Sequence, residues 1–208
     1  MKERPILFSS EMVRAILEGR KTQTRRIVKL SKVKGFDTHD MWKSAQQAMD
    51  GSWVFWSTSN PPDPSPYKRG GFTCPYGQPG DRLWVRETFD IYELEGESIP
   101  SVLYRADNTA VPILHTGAWK ISNVHKWRPS IFMPRWASRI TLENTGVRVE
   151  RVQDITAQDI EREGAIDRPV EIGDAVDVWV KLWNSINNKP GKRWEDNPWV
   201  WVVDFKKL

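Results

Sequence analysis

The stretch NPWVWVVDF, residues 197–205, is apolar at both alternating sets of positions: Trp199, Trp201, Val203 and Phe205 on one, Val200 and Val202 on the other. A strand with two apolar faces must be covered on both, so it belongs inside a sheet rather than at its edge. Everything else about the fold is read outward from this predicted central strand.

Other strands can be placed around it. Ile6 to Phe8 reads as a strand that runs into a helix entered at Ser9 or Ser10, with Glu11 in the first turn and Met12, Val13, Ile16 and Leu17 as its apolar stripe; Gly19 is placed to end it. CPYGQPGD (74–81) supplies turn chemistry ahead of RLWVRET (82–88), where Leu83, Val85 and Glu87 share one face and Trp84, Arg86 and Thr88 the other. VLYRAD (102–107) reads as a short strand, and SRITLENTGVRVERV (138–152) as a hairpin turning at Asn144 to Gly146. Thr156 caps a helix with Asp159 closing a capping box and Ile155 set to staple against Ile160; a further helix spans about Asp174 to Ile186. Strands spread along the whole sequence, with few helices, predict an α+β fold on a mixed, strongly curved sheet, in the form of a small closed or half-closed barrel.

Residues 31–74 interrupt this pattern. SNPPDPSPYKRGG (59–71) denies both helix and ladder hydrogen bonds, so a peripheral insertion within a single domain 1–208 is expected, with one short helix around Met41 to Met49. Most of the twelve tryptophans fit packing roles, Trp179 and Trp183 by their helical spacing; Trp42, Trp53 and Trp56 lack periodicity and are candidates for exposure.

The single cysteine excludes an internal disulfide, no apolar run reaches the roughly 18 residues of a membrane span, and the start MKERPILFSSEM lacks a signal-peptide core; a cytoplasmic protein is expected. Basicity is local. Seven basic residues and no acid lie between Arg20 and Lys34, so removing them from the net +4 leaves the remainder at −3. Such a cluster suits a phosphate or polyanion, or is a solvated loop.

His39, His115 and His125 have neither cysteine partners nor zinc-ligand spacing, so no metal and no cofactor are expected, and P-loop, nucleophile-elbow and dinucleotide motifs are missing. Lys21, Thr24 and Glu87 form the compact candidate set. A threonine hydroxyl attacks only if a base takes its proton, and a lysine serves as that base only with a lowered pKa, which burial and the neighbouring Arg20, Arg25 and Arg26 would provide. Glu87 either points inward, where a carboxylate needs a partner, or is carried to solvent by strand twist. Arg20, Arg25, Arg26 and Arg86 are the candidate substrate-binding residues.

GRKTQTRR (19–26) resembles the Gly-x-Lys-x-x-x-x-Arg signature of the ASCH domain family, with Gly19, Lys21 and Arg26 in the signature places and Thr24 where hydrolytic members have a threonine. GQPGDRLWVRET (77–88) is similar to the family's second block and puts Glu87 on its acidic position; residues 133–156 and NPWVWVVDF resemble a phage- and prophage-encoded branch. The resemblance implies a PUA-like β-barrel with flanking helices and long insertions, and an association with RNA or modified nucleosides. It further implies metal-independent hydrolysis of N(4)-acetylcytidine by Lys21, Thr24 and Glu87. Three functions are compatible with these residues: an amidohydrolase acting on an acylated nucleoside, a non-catalytic RNA- or modified-nucleotide-binding module, and a phage accessory protein acting through protein contacts.

Overall fold

A computed structural model describes residues 1–29, 44–56, 68–93, 99–113, 125–166 and 171–208. The fold is α+β, with a mixed five-stranded sheet ordered β1 (Glu3–Leu7), β6 (Arg82–Arg86), β10 (Thr141–Arg151), β11 (Trp199–Lys207) and β2 (Gln23–Ile27). β1 and β6 are parallel and the remaining pairs antiparallel. Two three-stranded sheets complete the described strands: β3 (Ser44–Gln47), β4 (Trp53–Trp56) and β5 (Lys68–Phe72); then β7 (Phe89–Glu93), β8 (Pro100–Tyr104) and β9 (Ala110–Pro112).

β11 lies inside the large sheet and is buried on both faces, as its sequence requires. Trp199, Trp201, Val203 and Phe205 enter one core with Ile6, Leu83, Val85 and Leu142, under α1 (Ser10–Leu17) through Val13 and Ile16. Val200 and Val202 face the opposite side, against Ile160 of α2 (Ala157–Arg162) and Trp179 and Trp183 of α3 (Ile172–Ile186). Each such fully buried side chain contributes about 1.5–3 kcal/mol of transfer free energy.

The helix starts follow their caps. Ser9 accepts from the Met12 amide, and the Thr156–Asp159 capping box forms in both directions. Gly19 ends α1 in the left-handed region, φ +76°.

Four expectations are corrected. The sheet does not close into a barrel: β1 and β2 are its two edges and do not pair with each other. Residues 141–151 are one strand rather than a hairpin, because both halves pair with the long β11, and the register shift between Asn144 and Gly146 is a bulge. Residues 44–47 are strand, not helix. The 31–74 stretch is not peripheral where it is described, since Trp53, Phe55 and Cys74 are buried in the main core, Phe55 edge-on to Trp199 with ring centroids 5.6 Å apart. That burial also removes Trp53 from the exposed candidates, while Trp42, His39, His115, Lys32 and Lys34 and the Trp56 side chain lie outside what is described.

Candidate active site

Between the two edges of the large sheet lies a cavity of about 390 Å³, lined by Leu7 and Phe8 from the β1 side and by Thr24, Arg25, Arg26 and Ile27 of β2. α3 closes it with Trp179, Leu182, Trp183 and Ile186; Lys21, Glu163, Thr88, Ser9, Ser130 and Asn187 add polar groups to its wall.

Lys21 is brought here by the way α1 ends. After Gly19 the chain turns back, the Lys21 amide donates to the Ala15 carbonyl (3.0 Å), and the next amide, of Thr22, donates to the Arg162 carbonyl at the end of α2 (2.8 Å). The two segments touch so closely that a Cβ on Gly164, itself at φ +68°, would stand 2.8 Å from the Cβ of Lys21 and 2.9 Å from that of Ala15. Glycine at 164 therefore permits the approach. This contact sets the α2 C-cap residue, Glu163, against the lysine: Nζ donates to the Glu163 carbonyl at 2.6 Å and to its Oε2 at 2.9 Å.

Lys21 is 3 % exposed. Burial pushes its pKa below the ordinary lysine value; Glu163 opposes that shift, and the charges of Arg26 and Arg25 add to it. Thr24 is buried on β2, paired with Val203 of β11, and faces the same cavity.

The arginines divide by partner. Arg25 is enclosed, its guanidinium reaching Glu163 (3.3 Å), Asp159 (3.0 Å) and Glu150 (3.0 Å), while Arg148 extends the network to Asp159, Asp204 and Glu150. Arg26 bridges the open side of the sheet, donating to the Leu7 carbonyl at 2.5 Å with its guanidinium over the Phe8 ring. Arg20 pairs with Glu18, and Arg86 stacks on Trp84, 4.7 Å from the ring centroid; neither lines the cavity.

Glu87 is buried as the inward reading of its strand requires, but its partner is Arg139, at 2.9 and 3.0 Å, and Thr88 rather than Glu87 lines the cavity. Burial pushes its pKa up, against the pull of Arg139. The carboxylate beside Lys21 is Glu163, a residue that sequence reasoning did not single out. Its signal was the Glu-Gly pair at the end of a securely capped helix, which marks a C-cap but does not say what the cap faces.

Among the described residues no cluster of His, Cys, Asp and Glu has a metal-binding arrangement, and no helix is long and apolar enough to cross a membrane. Comparison with protein families, with curated proteins and with solved structures found no match.

Proposed function

We propose that the chain is an amidohydrolase of ASCH, PUA-like type acting on an acylated nucleoside such as N(4)-acetylcytidine, with the curved sheet as a half-closed barrel and the cavity as its active site. The observation that carries this is the placing of a buried lysine and a threonine on one cavity wall, with a carboxylate bonded to the lysine. A volume of about 390 Å³ suits a small ligand, and Phe8, Trp179 and Trp183 give it apolar walls fit for a planar base.

In this reading neutral Lys21 takes the Thr24 hydroxyl proton as the oxygen attacks the acyl carbonyl carbon. Arg26 favours the developing oxyanion. The C–N bond then breaks, the amine leaves with the proton from Lys21, and the Thr24 ester is hydrolysed by water that Lys21 deprotonates. Glu163 orients Lys21, whereas Glu87 anchors Arg139. The compartment is proposed to be the cytoplasm and the substrate a modified nucleoside, free or within RNA.

The polyanion-binding module is less well supported, because Arg25 and Arg20 give their charges to protein carboxylates. The protein-contact reading has no feature of its own in the cavity. A turnover screen on acylated nucleosides decides. Lys21→Ala and Thr24→Ala are expected to lose at least about a hundredfold in kcat/KM, while Glu87→Gln, assayed where it is folded, keeps most of it. Loss on Glu87→Gln equal to that on Lys21→Ala would return Glu87 to the chemistry, and no turnover on any acylated nucleoside would reject the hydrolase.

A further inference from the structure

His125 belongs to none of the three apolar cores, and its ring is placed by a buried carboxylate and two aromatic neighbours. Its Nδ1 lies 2.6 Å from Oδ2 of Asp90, a carboxylate with no exposure at all, which also accepts the Lys126 amide at 2.6 Å and the Ile91 amide at 2.8 Å. The imidazole stacks on Tyr92, ring centroids 5.8 Å apart at 25°, and meets Trp127 edge-on at 4.5 Å. Even so, 46 % of the His125 side chain is exposed. Around these rings stand cations: exposed Lys126, and Arg105 with its guanidinium 5.9 Å from the Trp127 ring centroid.

This aromatic group is tied to the cavity wall. Thr88, which lines the cavity, accepts the Arg105 amide at 3.0 Å, and the next residue, Phe89, exchanges backbone hydrogen bonds with Arg128. From Thr88 to Asp90 is two strand residues, a step of about 7 Å.

Resting on the reading of the cavity as a nucleoside site, we propose that Tyr92, His125 and Trp127 are a stacking platform for the neighbouring nucleotide, so that the substrate is a single strand of nucleic acid rather than a free nucleoside. A ring with fixed partners that keeps nearly half of its side chain exposed leaves surface on which an unstacked base can lie, and cations beside it suit the phosphodiester. A sequence scan for zinc spacing passes over His125, because its partner is a buried aspartate 35 residues away.

The test is binding of cytidine and of an unmodified RNA trinucleotide with central cytidine, measured by calorimetry on the full chain, so that no turnover is needed. Wild type is expected to bind the trinucleotide at least about tenfold tighter than cytidine, and His125→Ala and Trp127→Ala to erase that gain while leaving cytidine unchanged. His125→Phe, which keeps a stacking ring, should retain most of it and controls for variants that fail to fold. Equal affinity for both ligands in wild type, or equal weakening of both in the variants, overturns the platform. The two readings fail separately: hydrolysis of a free acylated nucleoside with no trinucleotide gain removes only the platform, and a trinucleotide gain without any hydrolysis removes only the hydrolase.

Discussion

Lys21 shows how a charge pattern and a charge environment can differ. In the sequence it stands among arginines; in the fold its nearest charged contact is a carboxylate delivered from residue 163, and Arg25 is wrapped by that same Glu163 together with Asp159 and Glu150. The local run of seven basic residues therefore does not make a basic surface at Lys21 and Arg25. Lys21 and Thr24 were legible because they lie three apart on a segment with clear helix and turn signals. Glu163 was not, since an ion pair across 142 residues leaves no periodic trace. The pair has a measurable consequence. If Lys21 acts as the base, kcat/KM rises with pH as its ammonium is lost, with the ascending limb below the ordinary lysine value of about 10.4 because burial favours the neutral form. Glu163 opposes that shift, so Glu163→Gln should move the limb to lower pH. A limb that stays in place, or moves up, would mean that the titrating group is not Lys21.

At the scale of elements, strands with strict alternation were readable and their partners were not. β11 was recognised as central because its two faces demand two covers, and the Thr156 helix because its capping box is self-contained. The bulge in β10 was mistaken for a turn, since Asn-Thr-Gly suits either and only the length of the partner strand decides. The 31–74 stretch misled for a different reason: its prolines, clustered between residues 61 and 66, argue against regular structure only there, whereas Trp53 and Phe55 of β4 pack into the core. Phe55 has no exposure and sits among Phe72 and Trp199. Phe55→Ala should thus destabilise the whole protein by about 3–5 kcal/mol, the range for emptying a buried aromatic site, read as a lower denaturant midpoint with unchanged slope. A peripheral insertion would instead give a change under about 0.5 kcal/mol.

Across the whole molecule, the large sheet and the β7–β9 sheet are joined by Arg139, which takes Glu87 just after β6 and Asp107 just after β8 in paired hydrogen bonds, at 2.8–3.0 Å, while its guanidinium lies 4.0 Å from the Tyr104 ring centroid. The two carboxylates respond in opposite ways. Burial acts to raise both, but hydrogen bonds from Arg139 and Thr109 hold Asp107 down to about 2, whereas Glu87 stays above its ordinary value. Asp107 thus binds fewer protons folded than unfolded, and its contribution, present above about pH 4, is lost as pH falls towards 2. Glu87 has the reverse sign: its folded form holds the proton more tightly, so its contribution is full below about pH 4.3 and declines as pH rises through the folded pKa. Removing Arg139 releases Asp107 and leaves Glu87 as an unpaired buried charge, a change that costs about 3–5 kcal/mol near neutral pH. Without its partner Glu87 can shed that charge only by protonation, and its pKa must rise further. Followed by urea unfolding, Arg139→Gln is therefore expected to gain more stability than wild type as pH falls from 7 to about 5, since Glu87 acts with the same sign in both and its shift is larger in the variant. Parallel pH profiles for the two proteins would show instead that Glu87 finds water or another cation when Arg139 is gone.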